Sequence, residues 1–237
     1  MGVALVTGAG RGLGRAIAER LSADGLSIVA VDLDGDSAAA TAAALGGTGH
    51  QCDVSDRNAV NDMAAKVGPV DVLVNNAGIW TYGSIVEASD ADVDRVLAVN
   101  FRGTLNCCRA FVPGMVAAGG GAIVNLSSLA AAMAATGVEV YPITKSAVEA
   151  LTRQLAQELG PNGIRVNAIG PGSMLTEGTA PAYEGERLAQ RAALVPLRRV
   201  GTPQDIANTV AFLVSDQASY ISGQIIYVDG GMSAVNR

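Results

Sequence analysis

The most constraining feature of this chain stands at its start. Val3–Val6 is a short aliphatic run that leads straight into Thr7-Gly8-Ala9-Gly10-Arg11-Gly12-Leu13-Gly14, and Leu13, Ile17 and Leu21 then recur at helical spacing. A strand, a glycine-rich turn and a helix in direct succession predict the opening of a βαβ unit. Glycines let the backbone approach a ligand closely. The free N–H groups and positive dipole end of a helix N-terminus suit a pyrophosphate. Gly8, Arg11, Gly12, Leu13 and Gly14 are therefore candidate contacts for a dinucleotide. No Gly-Lys-Ser/Thr follows the turn, which excludes a phosphate loop of the ATPase kind.

The same style repeats along the chain. Ile28–Val31, Val70–Val74, Ala122–Leu126, Ile164–Ile169 and Gln224–Val228 are further short runs rich in Val and Ile. Such runs read as strands of a parallel sheet buried on both faces. Between them lie helical stripes, among them Ala147, Leu151, Leu155 and Leu159, and Ile206, Val210, Leu213 and Val214. The alternation predicts an α/β fold: a single-domain, doubly wound parallel sheet of the Rossmann type with about seven strands and helices on both faces. With no linker-like break in composition, residues 1–237 read as one domain. The pattern weakens around Pro171–Pro196, with a short helix expected over Glu184–Leu194. A segment this irregular inside a compact domain predicts a substrate-binding loop or lid, at about residues 173–198.

Charge and cysteine content exclude several classes. A net charge of −6 argues against a phosphate-binding nucleic-acid surface and against attraction to anionic membranes. No apolar run is long enough to span a bilayer, and no secretory leader is visible, so a cytoplasmic location is the expectation. The cysteine count is odd, at three, which does not suit a disulfide scaffold. Cys107 and Cys108 lie in an apolar helical stretch and read as core thiols. The single histidine, His50, has no partner pattern beyond Cys52, so no metal site is expected.

Four residues carry chemistry on their own placement. Asp32 ends the second strand about twenty residues after the glycines, where a carboxylate hydrogen-bonds the adenosine ribose 2′-OH. It would repel a 2′-phosphate, and Leu33 beside it offers no cation. Arg11 points the other way, toward a 2′-phosphate. Asp32 faces the ribose more directly, so NAD(H) is expected in preference to NADP(H). Tyr141 and Lys145 are four apart and share a helix face. An ammonium there is expected to lower the phenol pKa from about 10. Tyr141 could then act as general acid in ketone reduction and as base in alcohol oxidation. Ser128 could donate a hydrogen bond to the same substrate oxygen.

Set in order, the motifs are Thr7-Gly8-x-x-x-Gly12-x-Gly14, Asn75-Asn76-Ala77-Gly78, Val99-Asn100-Phe101, Ser127-Ser128, Tyr141-Pro142-Ile143-Thr144-Lys145, Pro171-Gly172 with Thr176, and Val228-Asp229-Gly230-Gly231. Their succession resembles the short-chain dehydrogenase/reductase family over essentially the whole chain. The resemblance implies that Tyr141 is the acid/base, that Lys145 also holds the nicotinamide ribose, and that Ser128 rather than Ser127 positions substrate. It implies that Asn100 holds a water linking Lys145 to solvent. Asp53 and Val54 would flank adenine, and Asn75, Ala77 and Gly78 would line the adenosine side. Pro171, Gly172, Met174 and Thr176 would surround the nicotinamide. A homotetramer or homodimer is also implied, built on helices around residues 100–116 and 144–159 and on the last strand and tail. Ala131, Pro142 and Thr144 depart from common family residues without removing a catalytic group.

Trp80, Tyr82, Met133, Glu139, Leu175, Tyr183 and Leu188 are the candidate substrate contacts. Most are apolar, which predicts a small neutral, fairly hydrophobic ketone or alcohol. Two alternatives remain open. One is a 3-oxoacyl-[acyl-carrier-protein] reductase using NADPH, which the later half also resembles. The other is a non-catalytic dinucleotide sensor.

Overall fold

The computed structural model describes residues 2–135 and 137–234. Seven strands form one sheet: β1 (Val3–Thr7), β2 (Ser27–Asp32), β3 (Thr48–Gln51), β4 (Val72–Asn75), β5 (Gly121–Leu126), β6 (Ile164–Pro171) and β7 (Ile225–Val228). Their spatial order is β3-β2-β1-β4-β5-β6-β7, and every pairing is parallel. The helices are α1 (Gly12–Ala23), α2 (Gly35–Ala44), α3 (Arg57–Val67), α4 (Asp90–Leu97), α5 (Thr104–Ala118), α6 (Leu129–Ala132), α7 (Tyr141–Leu159), α8 (Glu186–Ala193) and α9 (Pro203–Val214).

Alternate residues of each strand feed opposite faces. Ala4 and Val6 of β1 pack with Ile17 and Leu21 of α1 and with Ile206, Val210 and Leu213 of α9. Leu5, between them, points the other way into a second core with Leu73, Ile123, Phe111 and Met115. The three cysteines also lie in that second core, free and buried. Burial pushes their thiols up, Cys52 to about 11. They behave as small apolar fillers.

Two elements depart from the sequence reading. β3 has no apolar run, because Thr48-Gly49-His50-Gln51 sits at the sheet edge, half to fully exposed. Pairing with β2 and room for α2 specify it instead: a Cβ on Gly49 would come within 2.7 Å of Ala39 Cα. In α7 the stripe Ala147, Leu151, Leu155 and Leu159 is only half-buried. The helix's buried residues are Thr144, Lys145, Val148, Glu149 and Thr152. Polar groups survive there because they are partnered. Asn75 Nδ2 donates to Asn125 Oδ1 at 2.8 Å, and Asn125 Nδ2 donates to Thr152 Oγ1 at 2.9 Å.

β1 and β4 are neighbours, yet the chain leaves β1 for β2 on the far side. Such a switch in winding opens a crevice at the carboxyl ends of the strands. The glycine turn after β1 closes one wall of it. There α1 crosses β1 so tightly that a Cβ on Gly14 would lie 2.0 Å from the Gly8 carbonyl oxygen. Gly14→Ala must therefore push backbone apart. It is expected to lower unfolding free energy by about 1–3 kcal/mol, read as a lower urea midpoint at unchanged slope.

Candidate active site

A cleft of about 640 Å³ runs along the carboxyl ends of β1, β2, β4, β5 and β6. Gly8, Arg11, Gly12, Leu13, Asp32 and Leu33 line one end of it. Asp53, Val54, Ala77 and Gly78 line the middle, and Ser128, Tyr141, Lys145, Pro171, Gly172, Met174 and Thr176 the other end. The sheet gathers these residues from seven separate stretches of chain.

At the glycine end, Gly8 and Gly12 have φ of +64° and +56°, in the region that favours glycine. Asp32 is fixed by two N–H donors, Gly10 at 2.9 Å and Asp34 at 3.1 Å. Asp34 also lines the cleft. The Ser37 hydroxyl and N–H, followed by the Asp36 N–H and the Arg11 charge, hold its carboxyl below the usual range. Two residues to which the motifs assign no role complete this end. Asn76 Nδ2 donates to the Thr7 and Gly8 carbonyls at 2.9 and 3.0 Å, stapling the ends of β1 and β4. Glu177 accepts the Gly12 N–H at 3.1 Å and pairs with Arg15, which ties the loop after β6 to the start of α1. Asn76 stood in a recognised motif, but Glu177 is 165 residues from Gly12 and left no local signal.

At the chemical end, Ser128 caps α6. Its Oγ accepts the Ala130 N–H at 3.1 Å, which leaves its own proton free to donate. Ser127 is committed elsewhere, donating to Glu149 Oε1 at 2.8 Å. Tyr141 opens α7, and Trp80 stands edge-on to its ring at 6.4 Å. Lys145 Nζ lies 5.7 Å from that ring centroid and donates to the Leu126 carbonyl at 2.8 Å. The spacing argument predicts that the ammonium pulls the phenol pKa down. In the structure burial is the larger influence and pushes Tyr141 up, and the Ser128 hydroxyl pulls it part of the way back. Burial also lowers Lys145, to about 8.

Asn100 is fully buried in a π-helical turn, Ala98–Gly103, between α4 and α5. Such turns widen the helix and re-aim a side chain. Its Oδ1 accepts the Ile79 N–H at 2.8 Å, while Nδ2 donates to the Ile79 carbonyl at 2.8 Å and Thr144 Oγ1 at 3.0 Å. A Cβ on Gly78 would lie 3.3 Å from both Asn100 Oδ1 and Lys145 Nζ, so the glycine keeps a gap between them.

Several expected contacts lie elsewhere. Asn75 is buried behind the cleft, bonded to Asn125 and Cys108 because β4 directs it into the second core. Gly14 is likewise walled off by Gly8. Among the expected substrate contacts, Trp80 and Tyr183 line the cleft. Met133 packs instead on Leu129, Val195 and Met232. Glu139, at φ 45°, is held by the Thr81 hydroxyl. Leu175 faces a groove on the outer side of α1. Tyr82 and Leu188 are also outside the lining. No cluster of three metal-ligating side chains occurs among the described residues, and no helix described is long and apolar enough to cross a membrane.

The lowered Lys145 pKa carries a sign. Between about 8 and the ordinary 10.5 the folded chain binds fewer protons here than the unfolded one. The burden of the buried charge is therefore full below pH 8 and fades as pH rises toward 10.5. At about 1.4 kcal/mol per pKa unit, the relief amounts to roughly 3 kcal/mol. Unfolding free energies of the wild type and Lys145→Met, compared at pH 7.5 and 10, are expected to show the wild type gaining relative to the variant.

The glycine cradle and the continuous cleft fit a dinucleotide, and comparison with known proteins agrees. Residues 8–233 match a family model described as enoyl-(acyl carrier protein) reductase. D-threitol dehydrogenase of Mycolicibacterium smegmatis is 42% identical over 97% of this chain and 92% of its own. 3-Oxoacyl-[acyl-carrier-protein] reductase FabG of Staphylococcus epidermidis is 41% identical, covering 97% of this chain and 98% of its own. A solved structure named as a short chain dehydrogenase/reductase family protein superposes with a TM-score of 0.91 at 41% identity, covering 98% of this chain and 97% of that one. The chain belongs to the short-chain dehydrogenase/reductase family, whose members are oxidoreductases that use a nicotinamide cofactor.

Proposed function

We propose that this protein interconverts a secondary alcohol and a ketone with NAD(H), with Tyr141 as general acid/base. The observation that carries this reading is the meeting of Ser128, Tyr141 and Lys145 at one end of a cleft whose other end holds the glycine turn and Asp32. The dinucleotide, when bound, supplies or accepts the hydride. In reduction the free Ser128 proton orients the substrate oxygen, and Tyr141, kept protonated by its burial, hands that oxygen its proton. In oxidation Tyr141 must first lose its proton, so that direction gains with rising pH. Lys145 presents the remaining N–H groups of its ammonium to the cleft. Asn100 is assigned the proton link to solvent, through the gap that Gly78 leaves beside Lys145.

The fixed Asp32 carboxylate supports NAD(H) over NADP(H). The threitol dehydrogenase relative supports a small neutral alcohol. The FabG relative supports a second reading, reduction of a 3-oxoacyl group on an acyl carrier with NADPH. Trp80 and Tyr183 are assigned to the substrate, with the loop at about 173–198 as its lid. On this reading residues 1–237 form one domain of a cytoplasmic homotetramer or homodimer, with neither nucleic acid nor membrane as a partner. Exposed Val116 on α5 and Ile143 on α7 suit an interface on those helices.

Tyr141→Phe is expected to lose turnover by about 10²–10⁴-fold while NADH fluorescence titration gives an unchanged Kd. Full activity in that variant would overturn the assignment. Asp32→Ala is expected to weaken NADH and narrow its advantage over NADPH, read as the ratio of the two kcat/KM values. An unchanged ratio would remove Asp32 from the ribose.

A further inference from the structure

The serine doublet leaves one member without a chemical task. Ser127 is 3% exposed, and its hydroxyl donates to Glu149 Oε1 at 2.8 Å. That oxygen also receives the Tyr227 hydroxyl at 2.8 Å. Glu149 lies one turn after Lys145 on α7, so the two buried ionisable residues stack on the helix face that meets the sheet. Both grip the end of β5: Lys145 through the Leu126 carbonyl, Glu149 through the next residue, Ser127. The third arm comes from β7. Tyr227 reaches across Gly170 of β6, where a Cβ would come 2.4 Å from its ring and 3.4 Å from the Ser128 carbonyl carbon. The missing side chain at Gly170 is what admits the ring beside Ser128.

We propose that Glu149 is a positioning residue: its carboxylate fixes Ser127, and with it the adjacent Ser128, in register with Tyr141 on the same helix. The inference rests on the assignment of Ser128 and Tyr141 as the reacting pair. Glu149 touches neither substrate nor dinucleotide. It acts through the one peptide link between Ser127 and Ser128. Two groups one residue apart then divide the work, one hydroxyl anchoring the strand end and the other left free to donate.

The inference is tested on the holoenzyme, with the ketone that the wild type reduces fastest, in Glu149→Ala, Glu149→Gln, Ser127→Ala and Tyr227→Phe. A displacement of about 1 Å can cost up to a hundredfold in rate. Glu149→Ala is therefore expected to lower kcat by roughly tenfold or more, with the Kd for NADH, from fluorescence titration, within about twofold of wild type. Glu149→Gln still offers an oxygen to both hydroxyls and is expected to restore kcat to within about threefold. Ser127→Ala, which leaves the helix intact, is expected to lower kcat with the same unchanged Kd, and carries the test if Glu149→Ala does not fold. Tyr227→Phe keeps the Ser127 link and is expected to fall between Gln and Ala. Wild-type kcat in both Glu149→Ala and Ser127→Ala would overturn the inference. So would an equal loss in Gln and Ala, or a parallel loss of NADH affinity. Tyr141→Phe, run beside them, separates the two levels. If it stays active, the assignment of the reacting pair falls; if it is inactive while Glu149→Ala and Ser127→Ala keep full kcat, only the role of Glu149 falls.

Discussion

A lysine ammonium buried against a backbone carbonyl organises the chemical end of this molecule. Lys145 is 4% exposed, and its Nζ bonds to Leu126 at the last position of β5. An ammonium taken out of water is tolerated only with firm partners, so this contact fixes the height of α7 over the sheet. Tyr141 at the start of that helix and Ser128 just past the strand are thereby placed against one another. Burial of the same region lifts the Tyr141 pKa and lowers that of Lys145.

The remaining architecture serves that junction. The reversal of winding between β1 and β4 opens the crevice, and Asn76 with Thr7 keeps the two strand ends from separating. Glycines act at the points of closest approach: Gly14 against Gly8, Gly78 between Asn100 and Lys145, and Gly170 beneath Tyr227. The π-helical turn at Asn100 trades regular hydrogen bonding for a side chain that clamps the Ile79 backbone to α7 through Thr144. Each device spends local regularity on a fixed distance in the cleft.

What could be read from the chain alone follows the range of the interactions. The glycine turn, Asp32 at the end of β2 and the Tyr141–Lys145 pair are set by local backbone geometry, so their spacing suffices to find them. β3 has no hydrophobic run because it is an edge strand held by register with β2. Glu177 and Tyr227 act on residues far away in sequence, Gly12 and Glu149, and nothing near them signals it. Apolar character placed Met133 and Leu175 at the substrate, yet each found a different apolar surface nearby. Burial also acts on Tyr141 in a way that spacing does not reveal. Spacing gives proximity to a charge, whereas desolvation depends on the packing of the whole cleft.

The central claim is that the fixed Asp32 end and the Ser128–Tyr141–Lys145 end of one cleft together carry NAD(H)-dependent alcohol–ketone chemistry. Its most direct test is the loss of near-ultraviolet absorbance of NADH, against NADPH, when the wild-type protein meets a small neutral ketone or a 3-oxoacyl thioester. The account predicts turnover of the ketone with kcat/KM for NADH at least about tenfold above NADPH, since a carboxylate facing a phosphate costs several kcal/mol. Turnover confined to NADPH and the thioester would contradict it.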